Sequence, residues 1–164
     1  KGDELAKAFN ANRLYRNFMG YTVKPADEYI GIGVTSIGFL ENTFVQNTKI
    51  LPEYYELLDS GQLPVERGVE LDKDDQIRQW VISSLMCQFR INKIVFREQF
   101  DLDFDEYFFQ ESAHIIECQA KGLIEQVDAE IRATALGKLF IRNVCMGFDA
   151  YLNTNTAQRF SQTV

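Results

Sequence analysis

The apolar positions of this chain change their period along its length, and the changes mark out its elements. Between residues 14 and 23 they alternate, with Tyr15, Asn17, Met19 and Tyr21 on one side and Leu14, Arg16, Phe18 and Thr22 on the other. This predicts a strand with one polar, aromatic face. A turn at Lys24-Pro25-Ala26-Asp27 leads into EYIGIGV at residues 28–34, a second predicted strand whose two glycines strip side chains from one face. Glycine inside a strand costs stability, so Gly31 and Gly33 imply a close approach to the backbone, by a ligand or by another segment of the chain.

Elsewhere the period is helical. Leu5, Ala8 and Phe9 follow Asp3 and Glu4, which predicts a short helix within residues 2–12. Residues 39–48 read as a polar-rich connection, and residues 49–60 as a helix with Tyr54, Leu57 and Leu58 on one side and Pro52 in its first turn. Residues 62–71 have no clear period and carry Pro64 and Gly68; they are predicted to be an extended connector at a boundary between units 1–62 and 63–152.

Past that boundary, Asp72 and Asp75 form a variant of the capping box ahead of a stripe of Ile77, Trp80, Val81, Leu85 and Phe89. A second helix is predicted over residues 94–100 and a third behind Asp103, with Phe104, Tyr107, Phe108, Ile115 and Ile116 on its period and Lys121-Gly122 at its end. Residues 123–127 and 130–133 read as a β-hairpin. Thr134 caps a closing helix with Phe140, Val144, Phe148 and Leu152 on one face, and residues 153–164 are a polar tail. The predicted class is α+β, with a winged-helix-like outline in the second unit.

Composition narrows the function. A net charge of −7 and a pI near 4.8 oppose non-specific nucleic-acid binding, which needs a basic face. From Val65 onward there are 16 Asp and Glu against 11 Lys and Arg, so the winged-helix outline does not imply DNA as a partner. No apolar run approaches the roughly 20 residues needed to cross a bilayer, and a cytoplasmic monomer is expected. Lys1, not Met, opens the chain, so a preceding portion is expected.

The local motifs are weak. The GIG at residues 31–33 has Ser36 where a dinucleotide fingerprint wants a third glycine. The acidic run DLDFDE at residues 101–106 fails as a calcium loop, because Glu106 and Ser112 stand where glycine and glutamate are needed. Helix capping accounts for its aspartates. Cys87, Cys118 and Cys145 are widely spaced in apolar helical patterns and read as buried thiols of a reducing compartment. His114, the single histidine, reads as a partly buried helix residue and no metal site is expected.

Several runs taken together are more specific. RNFMGYT (16–22), GIGVTSIG (31–38), FVQN (44–47), LPVERGVEL (63–71), DDQIRQWVISSLMCQFR (74–90) and GKLFIRNVCMGFDAYL (137–152) resemble the oxygen-independent coproporphyrinogen III oxidases. The resemblance runs from end to end and covers roughly the C-terminal third of that family's usual chain. It implies the final strands of a partial (β/α) radical S-adenosylmethionine (SAM) barrel followed by the helical C-terminal domain. The intact protein would hold a [4Fe–4S] cluster and SAM, and convert two propionates of coproporphyrinogen III to vinyl groups in haem biosynthesis, with an electron donor or acceptor as partner. The family's C-x3-C-x2-C cluster motif is not in this sequence, and the spacings of 31 and 27 residues between its cysteines cannot replace it. The chain alone is therefore expected to carry no catalytic residue, to bind no cluster or SAM, and to be inactive without the missing N-terminal barrel.

Carried over by motif, Ile37 matches a position beside the SAM adenosine, with Gly33 and Gly31 thinning the strand before it. Met19 stands where the family's RNFQGYT has glutamine, and Tyr15 where it has histidine; a thioether cannot donate or accept as an amide does. Arg16, Arg67 and Arg90 are available for the substrate's carboxylates, and spacing singles out none of them. The alternatives are the family's haem-chaperone paralogue and a non-catalytic interaction module. Chaperone members tend to carry an HNxxYW-like run in place of RNFMGYT and to lack a close match to RNVCMGFDAYL, so both segments favour the oxidase.

Overall fold

The computed structural model describes residues 2–17, 20–24 and 28–152. Helix α1 (Glu4–Asn10) starts where Asp3 accepts a hydrogen bond from the Leu5 N–H at 3.0 Å, and it sends Phe9 edge-on against Phe89. The single strand expected over residues 14–23 is instead a hairpin of β1 (Tyr15–Asn17) and β2 (Gly20–Thr22). Asn17 Oδ1 accepts from the Gly20 N–H, and Gly20 takes φ 131°, a value a side chain resists. Folding back reverses the expected faces: Arg16 now lies opposite Tyr21 instead of on the other side of the strand.

Residues 28–34 also depart from expectation. They hold one isolated bridge, Tyr29 to Phe39, and no strand. The chain bends away because Gly33 and Thr35 adopt φ 102° and 61°. The expected connection over residues 39–48 is mostly sheet: β3 (Ile37–Leu40) and β4 (Thr43–Asn47) form an antiparallel hairpin. Its two-residue turn, Glu41-Asn42, has positive φ at both positions, as a tight hairpin requires. β5 (Val65–Glu70) completes the sheet in the order β3-β4-β5, so the expected connector is its third strand and the pairing crosses residues 62–63. Gly68 is needed there, since a Cβ would come 2.9 Å from the Phe44 carbonyl oxygen. Between β4 and β5 runs α2 (Leu51–Asp59), with Pro52 in its first turn and Tyr54 buried.

The rest of the chain packs around α3 (Lys73–Gln88). Its capping box is complete, Asp72 accepting from the Asp75 N–H and Asp75 from the Asp72 N–H. Ile77, Val81 and Leu85 of the expected stripe are buried, while Trp80 and Phe89 flank the core. Phe89 leaves the helix with φ 58°, which lets β6 (Arg90–Asn92) start at once. Asn92 then caps α4 (Lys93–Phe100).

The long third helix breaks in two, α5 (Phe104–Tyr107) and α6 (Ser112–Ala120). The break lets Phe104 and Phe108 both face Phe148 while Glu111 reaches Arg78 at 2.8 Å; Ile116, expected inside, is exposed. β7 (Ile124–Val127) and β8 (Glu130–Ala133) form the expected hairpin, and β6 adds to it in the order β6-β8-β7. The closing helix also divides, into α7 (Ala135–Leu139) and α8 (Ile141–Met146), leaving Phe140 half-exposed. Thr134 caps α7 through the Gly137 N–H. The expected tail at residues 153–164 lies outside the described residues. The architecture is α+β, with its core formed by α3 to α8 and the β6-β8-β7 sheet. Among the described residues no helix is long and apolar enough to cross a membrane.

Candidate functional site

Residues 31–37 form a loop organised by one buried amide. Asn47, at the end of β4, donates from Nδ2 to the carbonyl oxygens of Gly31 and Gly33 at 3.2 and 3.0 Å, and contacts Ser36 Oγ at 3.0 Å. Ser36 in turn donates to the Gly33 carbonyl at 2.6 Å, and the Gly33 N–H donates to Tyr54 Oη at 3.0 Å. The loop is thereby held from β4 on one side and α2 on the other. Asn47 is 8% exposed, so each of these bonds is made with little competition from water.

The two glycines do different work. A Cβ on Gly31 would stand 2.8 Å from the Ile37 carbonyl carbon and oxygen, so the segment that approaches Gly31 is the chain's own backbone at Ile37. Gly33 has open space around it and is required instead by its φ of 102°. Ile37 begins β3, half-buried and paired with Gln46, while Ile30 and Ile32 are exposed at 73% and 90%. An outward apolar rim beside a rigid backbone loop is suited to packing against a flat aromatic group or another protein segment. Met19 lies outside the described residues. Asn47 and Tyr54 were not singled out as site residues by the sequence. The available signal was a polar residue closing the apolar run TFVQN.

A second concave region lies between the β1-β2 hairpin and α3. It has a volume of about 290 Å³ and is bordered by Tyr15, Arg16, Tyr29, Trp80, Ser83 and Ser84, among others. Tyr21 ties the hairpin to α3 by donating from Oη to the Met86 carbonyl at 3.1 Å. The hairpin and α3 therefore meet across a cleft.

The three arginines are now distinct. Arg67 donates from Nε and Nη2 to Gln46 Oε1 on the exposed sheet, and Arg90 lies 3.7 Å from Glu130. Arg16 faces the cleft.

Burial pushes all three thiols up, Cys145 to about 12, and they are unpaired. Such thiols are protonated at neutral pH and are poor nucleophiles. Among the described residues no cluster of three or more His, Cys, Asp or Glu is placed to hold a metal ion. His114 is half-buried, with Nε2 3.0 Å from the Val144 carbonyl oxygen. Asp103 caps α5 and pairs with Arg97, and Asp105 pairs with Lys93, so the acidic run is explained by capping and ion pairs.

Residues 71–140 match the family model described as the HemN C-terminal domain. The chain's likeness to known proteins extends well beyond these residues. The oxygen-independent coproporphyrinogen III oxidase of Synechocystis is 38% identical over 99% of this chain and 36% of its own length. That of Thermostichus vulcanus is 40% identical over 99% of this chain and 50% of its own length. The solved coproporphyrinogen III oxidase (HemN) from Escherichia coli, described as a radical SAM enzyme, superposes with a TM-score of 0.87 at 39% identity, over 92% of this chain and 35% of that one. The chain thus spans between about a third and a half of the length of these relatives. Within the HemN-like chain the matched domain begins at Leu71, the residue after β5.

Proposed function

We propose that this chain is the C-terminal portion of an oxygen-independent coproporphyrinogen III oxidase, which decarboxylates two propionates of coproporphyrinogen III oxidatively to give protoporphyrinogen IX. The observation that carries this reading is the joint match in sequence and structure across 92% or more of the chain, at 38 to 39% identity. The intact protein would use a [4Fe–4S] cluster and SAM, which when bound supply the hydrogen-abstracting chemistry. The buried, protonated cysteines here do not suit the cluster, so its ligands are assigned to the portion of the protein outside this chain.

The residues present have supporting tasks. Asn47 and Tyr54 hold the loop 31–37 in one conformation, so that Ile37, with Gly31 and Gly33 before it, presents a pre-shaped apolar edge to the SAM adenosine. Met19, at the family's glutamine position, would add apolar contact where an amide is usual. The strands of this unit would be the last of the radical SAM barrel. The helical unit, winged-helix-like in its β6-β8-β7 sheet, would lie over the open barrel and keep water from the reacting carbons.

The test is anaerobic turnover. The full-length protein containing this chain, reconstituted with iron and sulfide, is expected to convert coproporphyrinogen III to protoporphyrinogen IX and to cleave SAM, and the chain of residues 1–164 alone to do neither. Full-length protein that binds haem tightly yet decarboxylates nothing would refute the oxidase reading and favour a haem chaperone.

A further inference from the structure

Arg16 stands apart from the other arginines. In a chain of net charge −7, it is among the described residues the one ionised side chain bordering the cleft between the β1-β2 hairpin and α3, and no described carboxylate borders that cleft with it. The groups around it are neutral: hydroxyls from Ser83 and Ser84 on α3, the phenols of Tyr15 and Tyr29, amides from Asn12 and Gln88, and the Trp80 ring. Tyr29 is held neutral, its pKa raised by burial.

The hairpin register fixes where the guanidinium goes. Arg16 pairs with Tyr21 across the hairpin, so their side chains leave the same face, and Tyr21 Oη is bonded to Met86 of α3. Arg16 is therefore turned to α3. It lies close enough to Cys87 and Cys145 that its positive charge partly opposes the rise that burial imposes on both thiols. A cation aimed into a wall of uncharged donors, with no acid among the described residues to answer it, is complementary to an anion brought by a ligand.

We propose that this cleft is a carboxylate subsite, in which Arg16, assisted by Ser83 and Ser84, holds one carboxyalkyl arm of the tetrapyrrole substrate. The assignment rests on the oxidase reading above and adds to it the residue that grips the substrate. A cleft of about 290 Å³ takes such an arm but not a macrocycle, so the ring would lie outside, toward Ile37 and the barrel. Tyr15 borders the same cleft, which places the departure from the family's histidine beside the arm and not in the 31–37 loop. Arg16 is here a binding and positioning residue: it fixes which arm is presented, and takes no part in bond breaking.

The experiment uses the full-length protein containing this chain. Wild type, Arg16→Gln, Arg16→Lys and Ser84→Asp are titrated by fluorescence with coproporphyrin III, the stable oxidised form of the proposed substrate, with its tetramethyl ester, and with SAM. Wild type is expected to prefer the free acid. Arg16→Gln should lose about tenfold or more in affinity for the acid, as for one charge-assisted contact, and nothing for the ester or SAM. Arg16→Lys should recover part of the loss, and Ser84→Asp, which sets a negative charge opposite Arg16, should reproduce it. In turnover, KM should rise more than kcat falls. Ester binding reports that a variant is folded; if Arg16→Gln loses the ester too, Ser84→Asp decides. Unchanged affinity for the acid in both variants overturns the subsite and leaves the oxidase reading in place. Loss of SAM binding in place of porphyrin binding overturns the assignment to substrate. A wild type that neither binds coproporphyrin III nor decarboxylates its reduced form overturns both.

Discussion

Tyr21 donates from Oη to the Met86 carbonyl oxygen at 3.1 Å, joining residues 65 positions apart and pinning the β1-β2 hairpin to the last turn of α3. The acceptor is one of the carbonyls near a helix end that intrahelical bonds leave available. Removing the hydroxyl in Tyr21→Phe is expected to cost about 1 kcal/mol, the usual net worth of one such bond. Because this bond lies at the end of the β1-β2 hairpin and not within α3, the loss should be local. Amide exchange of β1 and β2 should quicken about fivefold while that of α3 is unchanged.

Asn47 is the hub of the loop 31–37. Asn47→Ala would leave the carbonyl oxygens of Gly31 and Gly33 without their shared donor, at an expected cost of about 1–3 kcal/mol in urea unfolding. Asn47→Asp should be worse, since it turns a carboxylate oxygen toward those same acceptors. In the full-length protein both changes should weaken SAM binding and leave coproporphyrin III binding by the Arg16 cleft closer to wild type. Equal loss of the two ligands would show that the loop and the cleft are not separate.

Two glycines separate steric from conformational need. A Cβ on Gly137 would fall 1.7 Å from the Leu123 carbonyl oxygen, a backbone atom that cannot move without unseating α7 from β7 and β8. Gly137→Ala should therefore abolish cooperative thermal unfolding. Gly33→Ala meets no atom within 4 Å, and its cost comes from the φ of 102° alone, about 1–2 kcal/mol. It should fold, with a lowered Tm.

The Asp74-Arg78-Tyr107 group predicts a stability plateau bounded at both ends of the pH scale. Burial raises the Asp74 pKa, but hydrogen bonds from Tyr107 at 2.5 Å and Arg78 at 2.6 Å, with the Arg78 charge, bring it below the ordinary 3.8. A depressed folded pKa means that its contribution is present above the unfolded value and lost as pH falls through the folded one. Tyr107 is pushed up from 10.0 to about 12 by burial and by the Asp74 carboxylate, so its contribution is complete below pH 10 and lost as pH rises toward about 12. Asp74 is partly exposed, and solvent screening keeps the effect small. Chemical unfolding of wild type and Tyr107→Phe across pH should show the variant losing stability at higher pH on the acid side, and lacking the wild type's loss between pH 10 and about 12.

What the sequence by itself determined is local or periodic. Asp72, Asp103 and Thr134 act as caps as their side chains and spacing dictate, because capping involves groups two or three residues apart. The α3 stripe of Ile77, Val81 and Leu85, the β7-β8 hairpin and the buried thiols follow from the same short-range rules, and the ordered motifs pointed to the oxidases that the chain is similar to. Tertiary structure decided the rest. Alternation over residues 14–23 suits one strand or two folded on each other, and only pairing against α3 selects the hairpin that turns Arg16 to the cleft. The strand character of residues 65–70 depends on β4, far along the chain, and the break after Phe108 goes with the reach of Glu111 to Arg78. Gly31, which spacing left open between a ligand and another chain segment, is approached by Ile37 of its own backbone. These are contacts between residues distant in sequence or turned by a bend, and no periodicity along the chain records them.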